Sequence, residues 1–219
     1  AYDWRNRRSE TDGEEEKFQK RYYDNLDRLV WLERYNTDES GELLSCEETL
    51  YDDGGQVYRQ IQHFGGSCAF HASSSSSGGT NSMTLTRNMW HDAAGNVCKE
   101  QEGGTKEFTK YVYDSLDREI KRYVGYDTDE STPAQAFDVD GDTIVEQVET
   151  EFDEAGNPVQ RTARGRMHNA TGEGELTTSD GAQPAARVAY NATWYDGLGR
   201  NVAFAEYGTN GGETFVRPN

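Results

Sequence analysis

The sequence has few of the aliphatic residues that usually build a hydrophobic core. Leu, Ile, Val and Phe together account for 33 of its 219 residues, and the formal net charge is −18. This combination is typical of disordered chains, because little apolar surface is available to offset the entropy lost on folding. The 13 Tyr and 4 Trp instead favour a folded chain, since each ring can bury a large area while its polar group remains in contact with water. We therefore expect aromatic residues to form much of the core.

The sequence is also not basic, and it contains no long run of apolar residues. Its 40 acidic residues outnumber its 22 basic residues, and this balance repels phosphate backbones, so nucleic acid is not an expected partner. No stretch approaches the roughly 18 to 20 apolar residues that cross a bilayer, and we expect no membrane insertion. The first residues, AYDWRNRR, contain no apolar segment of a signal peptide, so an export signal is either missing or removed.

Catalytic signatures are absent from the sequence. It contains no Gly-x-Ser-x-Gly elbow, no P-loop and no His-Glu-x-x-His zinc motif. We therefore expect that the protein is not an enzyme.

The three cysteines, Cys46, Cys68 and Cys98, leave several states open. One disulfide, which pairs Cys46 with Cys98 or with Cys68, leaves one free thiol, and three unpaired thiols fit the sequence as well. Cys68 and His71 have the close spacing of zinc ligands, but no second close pair accompanies them. Zinc is the weaker interpretation.

What the sequence does contain is a six-residue motif that recurs seven times. Its order is an aromatic residue or His, then Asp, two variable residues, Gly or a substitute, and finally Arg, Asn or Gln. A basic unit near 21 residues with variable insertions fits the spacing, and echoes such as Thr37-Asp38-Glu39-Ser40 and Thr128-Asp129-Glu130-Ser131 indicate an internal duplication. The copies span 2–7, 23–28, 51–56, 91–96, 113–118, 152–157 and 195–200.

The chemistry of this motif predicts a tight turn between two β-strands. Asp accepts hydrogen bonds from its own backbone two residues on, and Gly, Asn or Asp tolerates the left-handed conformation that a hairpin requires. Alternating apolar and charged residues flank the copies, so we expect a strand, a turn and a returning strand at each. The residues assigned to these structural turns are Tyr23, Asp24, Tyr51, Asp52, Gly55, Asp92, Gly95, Tyr113, Asp114, Asp153, Gly156, Tyr195, Asp196, Gly199 and Arg200.

We expect residues 1–219 to form a single all-β array of these hairpins, with loop-rich insertions at 65–82 and 164–183. No convincing helix is present in the sequence. In such an array each hairpin mainly contacts its neighbours, and the first motif residue forms a cross-strand aromatic contact while the last begins the returning strand.

One acidic segment outside the motif resembles the first half of a calcium-binding loop. Asp138, Asp140 and Asp142 occupy alternate positions, as oxygen ligands of calcium do, but the expected Gly at the sixth position is missing. A hairpin turn at Asp140-Gly141 accounts for the same residues without metal. We therefore expect no cofactor, with calcium as the alternative at this segment.

The tandem aromatic-Asp-x-x-Gly-Arg pattern resembles the YD repeats of the RHS family, which includes polymorphic toxins, cocoon components of insecticidal toxin complexes, and teneurins. The resemblance extends from Tyr2 to Arg200, with Asn6, Asp27 and Asp117 in the Gly position and His91 in the aromatic position. It implies an all-β ribbon of hairpins that forms part of a shell or fibre. The chain has no Asp-Pro dipeptide, so the resemblance does not imply the self-cleaving end of a complete cocoon.

The resemblance implies a structural segment of a secreted or cell-surface protein, which builds a shell wall or a self-assembling fibre. Two alternatives are a cocoon segment that encapsulates a toxin and a carbohydrate-binding adhesin. The implied partners are further copies or further repeats, an encapsulated polypeptide, or a surface glycan. We expect the isolated acidic chain to be marginally stable and to gain order from neighbouring repeats.

Overall fold

The computed structural model describes residues 5, 7, 10–11, 18–36, 41–64, 83–127, 133–176, 179–180, 183–213 and 215–218. Within these ranges the chain is all-β, as the sequence predicts. Thirteen strands follow one another as an antiparallel meander in the order β1 to β11, β14 and β15, and β12 pairs with β13. The strands are β1 Glu10–Thr11, β2 Gln19–Tyr23, β3 Leu29–Tyr35, β4 Leu43–Tyr51, β5 Val57–Phe64, β6 Met83–His91, β7 Val97–Glu102, β8 Glu107–Tyr113, β9 Glu119–Tyr126, β10 Thr143–Phe152, β11 Pro158–Arg166, β12 Ser179–Asp180, β13 Gln183–Pro184, β14 Ala186–Tyr195 and β15 Asn201–Gly208.

Helical structure in the described part of the chain is limited to two short 3₁₀ segments, Pro133–Phe137 and Asn210–Gly212. Neither these segments nor any other described residues form a helix that is long and apolar enough to cross a membrane.

The chain divides into two compact units, and strand β6 contributes residues to both. The first unit comprises residues 1–89 and 102–104. Its buried core contains Phe18, Trp31 and Leu32 together with Cys46. Glu33 is buried as well, and its carboxylate accepts hydrogen bonds from the indole N–H of Trp31 and from the hydroxyls of Tyr22 and Tyr35. Aromatic residues with a polar group thus supply both packing and hydrogen bonds here.

The second unit comprises residues 90–101 and 105–219. Alternation along β8 directs Phe108 and Lys110 into the interior, because successive side chains of a strand point to opposite faces. The alternation of apolar and charged residues around the motif predicts that Lys110 is one of the polar residues flanking the apolar positions, and its burial corrects that prediction. The apolar core of this unit contains Phe108, Tyr123, Val139, Ile144, Leu176, Ala185 and Ala186.

Part of the expected loop at 164–183 is ordered by hydrogen bonds from one arginine. Strand β11 continues to Arg166, whose guanidinium donates to the carbonyl oxygens of Ile144, Ala170 and Gly172. The other expected insertion, 65–82, lies outside the described residues.

The cysteines differ in their covalent state. Cys46 is disulfide-bonded, whereas Cys98 carries a free, buried thiol. The pairing of Cys46 with Cys98 is therefore wrong. Cys68 and His71, which we considered as zinc ligands, lie outside the described residues.

Candidate functional site

Six of the seven motif copies connect two antiparallel strands. The copies at 23–28, 51–56, 91–96, 113–118, 152–157 and 195–200 join the pairs β2–β3, β4–β5, β6–β7, β8–β9, β10–β11 and β14–β15. Most of the first copy, 2–7, lies outside the described residues. The turns have left-handed backbone at the fifth motif position, as predicted. Its φ angles are 65° at Asp27, 83° at Gly55, 97° at Gly95, 58° at Asp117, 89° at Gly156 and 74° at Gly199.

The second motif residue is the centre of each turn's hydrogen bonds. In the copy at 113–118, Asp114 Oδ1 accepts the backbone N–H of Leu116 at 2.9 Å and that of Arg118 at 3.1 Å, and Oδ2 accepts Arg118 Nε–H at 2.7 Å. The backbone closes the turn from both sides, because Asp114 N–H donates to the Arg118 carbonyl and Asp117 N–H to the Asp114 carbonyl. The side-chain hydrogen bond from Arg118 is the main cause that lowers the pKa of Asp114.

Copies that end in Asn or Gln keep the backbone pattern of the turn. Asn157 donates its backbone N–H to Asp153 Oδ1 at 2.8 Å and its side-chain amide to Oδ2 at 2.9 Å. Gln56 donates its backbone N–H to Asp52 Oδ1 at 2.8 Å. The invariant chemistry is therefore the Asp carboxylate, while the last residue varies in charge.

Where the last residue is Arg, its guanidinium reaches the next copy of the motif. Arg28 lies 4.4 Å from the ring centre of Tyr51, and Arg118 lies 4.4 Å from that of Phe152. Arg7 shows the same relation to Tyr23, at 4.5 Å. Each of these arginines thus lies against the aromatic ring that opens the following motif, which is a cation–π contact.

Two tyrosines at the first motif position bind back to the preceding hairpin. The hydroxyl of Tyr51 donates to the Leu29 carbonyl at 3.0 Å, and the hydroxyl of Tyr113 donates to the Val97 carbonyl at 3.1 Å. Asn96 adds a similar connection, because its amide donates to Asp117 Oδ1 of the next motif at 2.9 Å. The motif therefore connects successive hairpins as well as closing its own.

These connections differ from the expectation that the last motif residue begins the returning strand. In the 113–118 copy the strands pair Tyr113 with Glu119, one residue beyond the motif, and Arg118 faces the next hairpin. The sequence contained a signal that points to this contact, since Arg28 and Arg118 both end a motif whose successor begins with an aromatic ring.

The acidic segment 138–142 is organised around a lysine. Lys110 Nζ donates to Asp142 Oδ2 at 2.6 Å and to the carbonyl oxygens of Gln135 and Asp138, each at 2.7 Å. Both ends of the Lys110–Asp142 ion pair are almost completely buried. The Asp138 carboxylate accepts the backbone N–H of Asp140 at 3.3 Å, as in an acidic turn.

The predicted calcium ligands therefore have a different arrangement from a ligand shell. Asp142 faces the ammonium of Lys110, whereas Asp138 and Asp140 are exposed. Among the described residues, no group of three or more His, Cys, Asp or Glu side chains is placed to hold a metal ion. The proximity of Lys110 lowers the pKa of Asp142, but desolvation by burial is larger and leaves that pKa raised.

A second lysine lies opposite Lys110 on the neighbouring strand. Lys99 of β7 pairs with Lys110 of β8, and its side chain is 1% exposed. Its Nζ lies 5.1 Å from the ring centre of Trp90 and 4.9 Å from that of Phe108. Burial, together with the charge of Lys110, lowers the pKa of Lys99 to about 8.

No family model and no curated protein matches this chain. Among solved structures, the chain is similar to the crystal structures of TcdB2-TccC3-TEV and TcdB2-TccC3-Cdc42, each with 11% identity and a TM-score of 0.21 over 87% of this chain and 13% of that chain. The crystal structure of TcdB2-TccC3 is similar at 11% identity and a TM-score of 0.21, over 94% of this chain and 15% of that chain. The chain thus spans 13% to 15% of the length of these chains.

Proposed function

We propose that the chain is a structural segment of a secreted or cell-surface YD-repeat protein, which builds a shell wall or a self-assembling fibre. The observation that carries this proposal is the contact between the last residue of one motif and the first residue of the next, as in Arg118 with Phe152. Contacts of this kind between successive hairpins are the arrangement of a repeat array.

The same contact predicts how the array continues. The side chains of Arg28 and Arg118 are 27% and 28% exposed, whereas that of Arg200 is 73% exposed. Strand β15, which follows Arg200, exposes Val202 and Phe204. Strand β15 can pair with a further hairpin, and the guanidinium of Arg200 can contact the aromatic first residue of its motif. This hairpin would come from a second copy or from further repeats.

Sedimentation of the purified chain tests the proposal. We expect assembly that increases with protein concentration and weakens at low salt, where repulsion among the carboxylates is least screened. Replacement of Val202 and Phe204 by Lys should reduce the sedimentation coefficient toward that of a monomer, because charges on an edge strand oppose pairing. Val145→Lys is the control, since Val145 is exposed on β10, a strand with neighbours on both sides. A cooperatively folded monomer at micromolar concentration in low and in high salt alike would contradict the proposal.

Electron microscopy of the assembled particles distinguishes the two forms of the structural role. Closed particles of uniform size would identify a shell, in line with encapsulation of a polypeptide. Open particles with an axial repeat would identify a fibre.

A further inference from the structure

The second unit contains a cleft that the turn motifs do not use. It has a volume of about 340 Å³, within the usual size range of small-ligand sites, and lies among β8, β9 and the segment 136–140. One wall is apolar, formed by Val112, Ala136, Phe137 and Val139. The ring of Phe137 is 52% exposed, although large apolar side chains are scarce in this sequence.

Carboxylates surround this apolar wall. Asp138, Asp140 and Glu175 line the cleft. Two lysines also line it, but both are paired: Lys121 Nζ lies 2.7 Å from Glu175 Oε1, and Lys110 Nζ lies 2.6 Å from Asp142 Oδ2. With Glu175 paired to Lys121, the carboxylates of Asp138 and Asp140 give the cleft a surplus of negative charge beside an exposed aromatic ring.

Glu175 is held at the cleft by its ion pair with Lys121. Although burial opposes ionisation, hydrogen bonds from Lys121 and Tyr123 lower the pKa of Glu175. The hydroxyl of Tyr123 donates to Glu175 Oε1 at 2.5 Å, and Tyr123 itself is buried. The carboxylate is thus held in a fixed position and ionised at neutral pH.

Two turn motifs of this chain show that a guanidinium group fits between a carboxylate and an aromatic ring. The guanidinium of Arg118 binds the Asp114 carboxylate at 2.6 Å and lies 4.4 Å from the centre of the Phe152 ring. Arg28 is bound in the same manner between Asp24 and Tyr51. Guanidinium groups suit such sites because they are planar, permanently charged and weakly hydrated.

We propose that the cleft lined by Phe137, Asp138, Asp140 and Glu175 binds the guanidinium of an arginine side chain from a basic segment of a partner polypeptide. The partner is basic because the cleft is acidic and because the whole chain carries a formal charge of −18, which steers cationic segments toward it. This site is separate from the edge strand β15, so it does not depend on self-assembly.

Titration of the full-length chain with acetyl-Gly-Arg-Gly-amide tests the proposal, with NMR signals of labelled phenylalanine as the readout. We expect saturable shifts of the Phe137 signal and binding that is at least about tenfold weaker for the neutral citrulline peptide. A Lys peptide should bind less tightly than the Arg peptide, because an ammonium lacks the planar fork.

Two variants locate the binding site. Phe137→Ala and the double variant Asp138→Asn/Asp140→Asn should each weaken the Arg peptide at least about fivefold. Phe204→Ala removes another half-exposed ring, and Asp53→Asn/Glu154→Gln removes two exposed carboxylates elsewhere, so both should leave the affinity unchanged. Far-UV circular dichroism checks that each variant is folded.

The proposal would be overturned by equal affinity for the arginine and citrulline peptides, or by an unshifted Phe137 signal up to about 10 mM peptide, a concentration at which even millimolar affinity saturates the site. Equal losses in the control and cleft variants would also overturn it, since only the net charge of the chain would then matter.

Discussion

The turn motifs and the segment 133–176 both contain ion pairs, but the paired residues are close in the sequence in the turns and far apart in the segment. In a turn, Asp114 finds its partner Arg118 four residues away, at an ion pair whose side chains remain 20% and 28% exposed. In the segment, Asp142 and the carbonyl of Gln135 bind Lys110, which comes from strand β8, and the ion pair is buried. The ion pair of the turn thus forms in contact with solvent, whereas the Lys110–Asp142 ion pair is shielded from solvent.

This difference predicts where the fold is sensitive to substitution. Exposed ion pairs contribute little to stability because solvent screens them and the side chains lose entropy. A buried charge without its partner is costly, because its desolvation is no longer offset. The segment 133–176 should therefore be the more vulnerable of the two regions.

The largest expected effect is that of Lys110→Met. The substitution leaves the buried carboxylate of Asp142 and two carbonyl oxygens without their donor, and we expect a loss of about 3 to 5 kcal/mol in the free energy of unfolding. Urea denaturation measures this loss.

Two further variants test the cause of that loss. Lys121→Met removes a lysine that is 32% exposed, and we expect a loss below about 1 kcal/mol. The double variant Lys110→Met/Asp142→Leu should recover part of the stability, since neither charge remains. A double variant no more stable than Lys110→Met would show that the ion pair is not the origin of the effect.

The next effect concerns the pH dependence of stability caused by Lys99. Its pKa falls from 10.5 to about 8 in the fold, so between these values the unfolded chain binds more protons than the native chain. The contribution of Lys99 to the free energy of unfolding therefore becomes more favourable to the native state as pH increases from 8 to 10.5. We expect Lys99→Met to remove a rise on the order of 1 to 3 kcal/mol, measured as the difference between the two proteins in urea denaturation across this range. Parallel pH profiles would contradict the lowered pKa.

A smaller effect is expected in the turns, at the position with left-handed backbone. Gly199 has a φ of 74°, and Gly199→Val should cost roughly 1 to 2 kcal/mol, because a β-branched residue is strained there. Gly197 lies in the same turn without a left-handed φ, and a Cβ at either glycine is free of close contacts. Thermal denaturation should therefore show little change for Gly197→Val. Equal losses at both positions would contradict the assigned geometry.

The turns were predictable because their determinants lie within six residues. The hydrogen bonds of Asp114 and the left-handed backbone at Asp117 follow from residue types alone, without knowledge of the partner strand. The all-β meander follows in turn, since each motif reverses the chain between two alternating segments.

The long-range contacts were not predictable in the same way. A lysine within an alternating strand is normally a solvent-facing residue, and nothing local distinguishes Lys110 from one. Its partners come from the segment 133–176, and no repeat of the motif specifies how that segment folds back. The contact of Arg118 with Phe152 is intermediate, because the motif supplies both residues but an insertion of variable length separates them.

The most direct test of the central claim, that a turn ending in Arg is joined to the next hairpin by that residue, is a double-mutant cycle on Arg118 and Phe152. The free energies of unfolding of Arg118→Gln, Phe152→Leu and the double variant isolate this contact from the bond between Arg118 and Asp114. We predict a favourable coupling energy of about 0.5 to 1.5 kcal/mol, as expected for a partly buried cation–π pair. Additive losses, with no coupling between the two residues, would contradict the claim.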